Sequence, residues 1–277
     1  MTLSKKTPVV PYIILLLASL LVLLPLLWML VSSFKSQREL FAYPPKFFPT
    51  NWRFHNYSLA ATSGSVTFFR MFLNTMLIAV PVTVLNILFS GLAAYAFARI
   101  RFPGRDLLFM LFIASMMVPA SVVMIPQFML FSKLNLVNTY APLIMPEMLG
   151  KAFSIFLLRQ FFMTLPHELE DASYIDGCGR LRIWAVIFMP LSKPIIATLA
   201  VFIFQRSYND FIYPVIYLHT SSKFTIQLGL AAFRSAYTAR YELIMAMSVL
   251  ALLPVLLLYV FCHKYIVNGI VMSGIKS

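Results

Sequence analysis

A chain of 277 residues with 61% hydrophobic and only 11% charged residues is no ordinary soluble domain, where about a quarter of the residues carry charge. Lys and Arg number 22 against nine acids, a net charge of +13. In a soluble chain that excess would point to nucleic acid; here membrane topology and anionic lipid headgroups account for it, and no nucleic-acid partner is expected.

A membrane-spanning helix needs roughly 20 apolar residues, and six stretches qualify: 8–33, 71–98, 107–131, 141–163, 194–217 and 243–262. The expected fold is therefore an all-α membrane protein with six transmembrane helices, forming a single domain over residues 1–277. The first stretch follows Lys5 and Lys6 but is too long for a signal peptide, contains Pro25, and ends in Trp28-Met29-Leu30-Val31, so it reads as a retained anchor. The segment 34–70 is rich in Pro, Asn and aromatics, which suits an interfacial loop with Tyr43, Trp52 and Tyr57 at headgroup level. Pro119 and Pro126 fall inside the third span, where neighbouring helices or water can satisfy the freed carbonyls; a kinked, pore-facing helix is expected.

Six spans place both termini on one side. The Lys and Arg residues divide almost evenly, but short loops count most, and the turn holding Arg99, Arg101 and Arg105 is the densest cationic cluster. That puts the termini and the loop 164–192 in the cytoplasm. Cys178 and Cys262 then lie near cytoplasmic ends, as reduced thiols.

The loop 164–192 holds four of the nine acids: Glu168, Glu170, Asp171 and Asp176. Pro166 suits a first helical turn capped by Thr164 or Leu165. The acids follow where the helix dipole favours negative charge, and Asp176-Gly177 ends the helix after about ten residues. Arg180 and Arg182 then lead back to Pro190 and Pro194. Small residues at Ala172 and Ser173 would admit another surface close to the backbone. Two readings stay open on these residues alone: a docking helix for a partner, or an amphipathic helix lying on the headgroups.

Charges within spans are costly and point to a pore or a pairing. Glu147 and Lys151, four residues apart, can neutralise each other. Arg206 and Asp210 share that spacing inside Gln205-Arg206-Ser207-Tyr208-Asn209-Asp210, the polar stretch where solute contacts are placed. There Asn209 and Asp210 offer partners for hydroxyl groups and Tyr208 an aromatic face for a solute. Arg206 either pairs with Asp210 or receives an anionic group of a solute. The four histidines lack metal-ligand spacing, so no metal is expected. No nucleophile–base set is visible, so the chain reads as a non-enzyme. Gly269 and Gly274 have the separation of a phosphate-binding loop, but Ile275 stands where its lysine must be.

Asp171-Ala172-Ser173, Asp176-Gly177, Ile187 and Met189-Pro190 resemble the coupling-loop signature of permease subunits in ATP-binding-cassette importers, Glu-Ala-Ala, two residues, Asp-Gly, nine residues, Ile-x-Leu-Pro. The resemblance continues through Pro49-Thr50-Asn51-Trp52, Asn56-Tyr57, Asn74-Thr75, Ala93-Ala94-Tyr95-Ala96, Arg101-Phe102-Pro103-Gly104, Leu158-Arg159-Gln160-Phe161-Phe162, Asn209-Asp210-Phe211 and Tyr265-Ile266-Val267-Asn268-Gly269. It covers nearly the whole chain and is similar to the maltodextrin-type carbohydrate branch. The resemblance implies a sugar-importer subunit forming half of a solute pathway, with a cytoplasmic coupling helix between spans 4 and 5. Its implied ATPase-coupling residues are Glu170, Asp171, Ala172, Ser173, Asp176, Gly177, Ile187 and Pro190. ATP and Mg2+ would be bound by a partner ATPase dimer. The other implied partners are a second homologous permease, an extracytoplasmic solute-binding protein and membrane lipid, in a prokaryotic cytoplasmic membrane. The sequence departs from the family at Asp171 (usually Glu), Ser173 (usually Ala), Arg206 (often a small residue) and Tyr208 (often Trp). The alternative is a secondary transporter driven by an ion gradient, which needs midplane titratable groups and usually repeats.

Overall fold

The computed structural model describes residues 9–64, 66–237 and 240–274, without the side chains of Val9, Cys262 and residues 264–274. Pro8, Lys5, Lys6 and Ile275 lie outside the described residues. Among the described residues all regular structure is helical. In chain order, α1 (Val9–Ser32), α2 (Gln37–Leu40), α3 (His55–Thr62) and α4 (Phe68–Arg99) are followed by α5 (Arg105–Ser115), α6 (Ala120–Lys133), α7 (Ala141–Met148) and α8 (Ala152–Thr164). The short α9 (Glu168–Ile175) and α10 (Arg180–Ile183) lead into a π-helical stretch at Trp184–Phe188 and α11 (Met189–Leu191). The chain ends with α12 (Lys193–Tyr208), α13 (Ile212–Tyr217), α14 (Ile226–Ala236) and α15 (Tyr241–Gly274).

Four segments are long and apolar enough to cross a membrane: Val10–Ser32, Phe68–Arg99, Ala141–Thr164 and Tyr241–Phe261, or up to six if each of two bent pairs counts as one span. The third stretch is one such pair. In place of the single kinked helix expected over 107–131, α5 and α6 meet at 96°. Pro119 begins α6 in an extended conformation: it has no N–H to continue the α5 ladder, and its ring disfavours helix in the residue before it. Pro126, by contrast, is absorbed within α6. The second pair, Arg180–Leu191 and Lys193–Tyr208, bends by 81°, with Ser192 between the two segments. The stretch 194–217, read as continuous, also breaks between α12 and α13, where the Asp210 carboxylate accepts the Tyr213 N–H at 3.3 Å and offers the backbone an alternative to the helical ladder.

The chain forms two compact units, Met1–Phe68 with Leu230–Leu253 and Phe69–Gly229 with Pro254–Ser277. In the first, the polar segment after α1 is tightly tied. Asn56 Nδ2 donates to the carbonyls of Ser33 and Lys35 at 2.8 and 2.9 Å, and Ser33 and Tyr57 share a 2.6 Å hydroxyl bond. Lys35 donates to the Lys46 carbonyl at 2.7 Å and lies over the Trp28 ring. Ser36 and Glu39 form a reciprocal capping box on α2, and Glu39 also accepts the Thr50 N–H at 2.9 Å. These N–H donors hold the Glu39 carboxyl down to about 2. Its folded value is depressed, so this stabilisation is complete above the ordinary carboxylate range and is lost as pH falls toward 2. Of the aromatics expected at headgroup level, Tyr43 and Trp52 are exposed and Tyr57 is half-buried.

In the second unit α4 is the spine. Its Asn74 Nδ2 donates to the carbonyls of Ser222 and Phe224, both at 2.9 Å; its Thr75 hydroxyl accepts the Ile226 N–H at 2.9 Å; its Asn86 Nδ2 donates to the Glu147 carbonyl at 2.6 Å. Three elements are thereby pinned to one helix by bonds that hydrocarbon makes costly to leave unmade. Between α7 and α8 the chain turns at Gly150 with φ +89, where a Cβ would lie 3.1 Å from Ser90 Oγ and 3.3 Å from Ser90 N. Left-handed backbone costs a non-glycine residue about 1–2 kcal/mol, and the contact to Ser90 adds overpacking. Gly150→Ala is therefore expected to destabilise the protein by roughly 2–4 kcal/mol, read as a lowered unfolding temperature in detergent.

Candidate functional site

The loop between α8 and α12 is built on the end of α4. The pre-proline residue Leu165 is extended (ψ 140), as the following ring requires. Helix α9 therefore starts at Glu168, with His167 at its cap and Pro166 outside it; its eight residues fall short of the expected ten. Its C-terminus matches the expectation from Asp176-Gly177. Gly177 has φ +76, its N–H bonds the Tyr174 carbonyl at 3.0 Å, and the Cys178 N–H bonds the Ser173 carbonyl at 2.9 Å. This paired 6→1 and 5→2 arrangement closes a helix whose next residue turns left-handed. Cys178 is a free thiol, while the side chain of Cys262 lies outside the described residues.

One face of α9 is turned inward. Glu170 is 8% exposed and Ser173 6%, so the chain itself occupies two of the expected coupling positions. Glu170 Oε1 accepts the Tyr95 hydroxyl at 2.9 Å and the Tyr174 hydroxyl at 3.3 Å; the Ser173 hydroxyl donates to the Leu169 carbonyl. Beside them the Arg99 side chain, 1% exposed, donates from Nη2 to the carbonyls of Phe162 and Leu165 at 2.7 and 2.5 Å. Its Nη1 meets His167 Nδ1 at 2.8 Å. A guanidinium can only donate, so Nδ1 accepts and the neutral imidazole carries its proton on Nε2. Arg99 also lies over the Phe188 ring at 5.1 Å, and its Nε is 4.0 Å from Glu170 Oε2, beyond hydrogen-bonding range. Phe188 in turn packs edge-on against both Tyr95 and Phe162. Thus α9, the end of α8 and the π-helical stretch converge on one arginine.

The opposite face is free of the chain. Asp171, Ala172, Asp176 and Gly177 are exposed, a Cβ on Gly177 would meet nothing within 4 Å, and Ile175 is 87% exposed. Ile187 packs at the edge of the buried cluster, whereas Pro190 is exposed. The surface offered by the loop is small, acidic and centred on an apolar residue.

A cavity of about 200 Å³ opens elsewhere in the same unit, with Asn86, Glu147, Lys151, Arg206, Ser207 and Asp210 in its polar lining. Lys151 Nζ meets Glu147 Oε1 at 2.8 Å, the expected pair, although the helix breaks between the two residues. Arg206 Nη2 is 3.7 Å from the same Oε1, so its ionic partner is Glu147 on α7 and the expected Arg206–Asp210 pair is corrected. Asp210 is occupied in capping α13 instead. Tyr208 is also corrected as a sugar platform: it is 1% exposed and stacked on Phe204 one turn earlier at 5.7 Å, outside the cavity. Asn209 Oδ1 accepts from Gln227 Nε2 at 3.0 Å. Of the expected solute-contact residues, Arg206 and Asp210 are brought together in the cavity wall. Among the described residues no group of three or more His, Cys, Asp or Glu is placed to hold a metal.

The profile of the family described as "Binding-protein-dependent transport system inner membrane component" matches residues 86–271, a segment holding both the loop and the cavity's ion triad. The chain belongs to this family. It is 33% identical to the "Arabinooligosaccharides transport system permease protein AraQ" of Halalkalibacterium halodurans, covering 91% of each chain. It is 34% identical to the "sn-glycerol-3-phosphate transport system permease protein UgpE" of Yersinia pestis, covering 95% of each. The fold is similar to a chain in the crystal structure of a bacterial ABC transporter involved in import of the acidic polysaccharide alginate, with TM-score 0.82, 23% identity, and coverage of 93% of this chain and 95% of that one. This protein is thus a membrane subunit of an ABC importer, a transport component of the inner membrane.

For this family member, sequence reasoning placed the helix and its terminating glycine but passed over the residues that hold the helix in place. Tyr95 and Arg99 are four residues apart on α4, on one helical face, and each carries a polar tip at the end of an otherwise apolar stretch. That spacing was the available signal. Membership alone also leaves the solute open, since the two relatives' names specify oligosaccharides in one case and a glycerol phosphate in the other.

Proposed function

We propose that the chain is the six-span permease of an ATP-driven sugar importer, a single domain over residues 1–277 that forms half of a solute pathway. In this reading α9 is the coupling helix, and its exposed face, Asp171, Ala172, Asp176 and Gly177 around Ile175, docks into a cleft of a cytoplasmic ATPase dimer that binds ATP and Mg2+. Glu170 contributes from within, by fixing the helix to α4 through Tyr95 beside Arg99, and the buried Ser173 bonds back to the Leu169 carbonyl of the same helix. A second homologous permease supplies the other half of the pathway, and an extracytoplasmic solute-binding protein delivers the sugar. Both termini lie in the cytoplasm of a prokaryotic cell, and lipid covers the outer faces of the spans. The six stretches 8–33, 71–98, 107–131, 141–163, 194–217 and 243–262 are the proposed crossings, three of them (107–131, 141–163 and 194–217) built from bent or broken helices.

The observation that carries the reading is the two-sidedness of α9. One face is bonded into the membrane helices through a buried arginine, while the other presents an apolar side chain and a glycine to solvent. An exposed Ile on a short helix, ringed by small and acidic residues, has the anchor-and-rim character of an interface centre. Purification of the tagged chain from its host in mild detergent is expected to bring down a second permease and an ATPase. Uptake of solute by the lone chain in vesicles on an ion gradient, without ATP, would overturn the reading.

A further inference from the structure

We propose that Glu147 is the specificity-determining residue of the cavity: it masks the two cations that would otherwise make the site anion-binding, and so restricts the solute to neutral, hydroxyl-rich molecules. The proposal rests on the importer reading above and names the solute class of that cavity.

The geometry is that of one carboxylate oxygen shared between two cations. Glu147 Oε1 is 2.8 Å from Lys151 Nζ and 3.7 Å from Arg206 Nη2, with the three residues on different helical elements or their junctions. Its place is set by the backbone. The Glu147 carbonyl receives Asn86 Nδ2 at 2.6 Å, and the left-handed turn at Gly150 packs on Ser90 and brings Lys151 back toward Glu147. The cavity's ionic lining is thus two acids, Glu147 and Asp210, and two cations, Lys151 and Arg206, with no net charge. Asp210 spends one oxygen on the Tyr213 N–H, which leaves Glu147 as the group that neutralises the cations.

A neutral sugar finds both donors and acceptors here. An anionic one must draw Arg206 or Lys151 away from Glu147 while facing two carboxylates, whose like charge opposes it. Arg206 is the looser of the two cations: its side chain is 63% exposed and its contact with Glu147 is long. Once Glu147 is neutral, the planar fork of Arg206 is free to take a carboxylate or phosphate in two-point fashion.

The test is equilibrium binding of galactose and galacturonate, which differ in the charge at C6, to the purified complex of permeases and ATPase without the binding protein. Glu147→Gln is expected to raise galacturonate affinity about 10-fold or more while galactose affinity stays within about twofold. The double variant Glu147→Gln/Arg206→Gly is expected to lose the gain. Because a lone Glu147→Gln leaves an excess cation in the membrane, Glu147→Gln/Lys151→Met, which keeps the cavity uncharged with Arg206 unmasked, is measured beside it and is expected to show the gain as well. Unchanged galacturonate affinity in both Glu147→Gln and Glu147→Gln/Lys151→Met overturns the proposal. ATP-driven uptake of neutral sugars by the wild-type complex in proteoliposomes is followed separately. No uptake together with a gain in galacturonate affinity would overturn the importer reading and leave the role of Glu147 standing.

Discussion

Arg99→Met is expected to destabilise the protein by about 3–5 kcal/mol, the usual cost of removing one partner from a buried charged network, and to abolish coupled transport. The guanidinium caps the carbonyls of Phe162 and Leu165, donates to the His167 ring and covers Phe188. Methionine fills the space but donates nothing, so the Leu165 carbonyl loses a charged donor, at about 1–3 kcal/mol, while the Phe162 carbonyl keeps the Leu165 N–H at 3.3 Å. Glu170 keeps its Tyr95 and Tyr174 hydroxyls, so α9 persists but is no longer fixed to α4 by a charge. Arg99→Lys is expected to restore less than about half of the lost stability, because a single ammonium cannot reach three acceptors spread along a planar fork. The unfolding temperature of the assembled complex and the solute moved per ATP hydrolysed are the two readouts. A packing role alone would lower the first and leave the second intact in whatever complex survives, so unchanged coupling in Arg99→Lys would remove Arg99 from the transmission of force.

Gly177 separates folding from docking. Its φ of +76 favours glycine, yet a Cβ there meets open space, so substitution strains the backbone without displacing any neighbour. Ala at this position is expected to cost about 1–2 kcal/mol. Asn, which tolerates the left-handed conformation, is expected to cost a few tenths of a kcal/mol while placing a side chain on the face proposed to dock on an ATPase. If α9 enters a close-fitting cleft, Gly177→Asn should lower ATPase co-purification or coupled transport by about 10-fold or more, some 1.4 kcal/mol, with little change in unfolding temperature. Gly177→Ala should show the reverse balance. Equal effects of both on stability and none on coupling would mean that the turn is structural only and that the docking surface lies elsewhere.

How far the fold could be read from the sequence depended on whether the deciding interaction was local. Asp176-Gly177 announces its own turn, because the left-handed conformation is a property of that residue. The long apolar runs of α1, α4 and α15 announce themselves by length. Pro119 did not disclose whether it kinks a helix or breaks it, since in a membrane the outcome depends on which neighbours take up the freed carbonyls. The polar stretch from Gln205 to Asp210 read as part of one continuous span because the bond at the break comes from the Asp210 side chain. At the cavity, spacing found the Glu147–Lys151 pair but misassigned Arg206, whose partner on α7 is distant in sequence and is reached only through packing of α12 beside α7. The Arg99 network was hidden for the same reason: its partners come from Phe162, Leu165, His167, Glu170 and Phe188, all remote from α4 along the chain.

The spine helix α4 has a mechanical consequence. At 1.5 Å per residue its 32 residues form a strut about 48 Å long. Arg99, at the last residue, grips the segment that α9 belongs to; Asn86, about 20 Å up the strut, grips the carbonyl of Glu147; Asn74, some 18 Å beyond that, grips the loop at 222–224. A thrust delivered at the lower end, as the proposed coupling requires, would therefore reach the ion triad along unbroken helix, with no flexible joint in which to dissipate. Pro81 is the only proline in the strut. It removes one rung of the ladder between Asn74 and Asn86 and divides the strut into a stiff lower arm and an upper arm free to flex. The lower end and the Asn86 tether of Glu147 would then move as one lever, while the part of the cavity wall beyond Pro81, at Thr75 and Ile78, is allowed to lag.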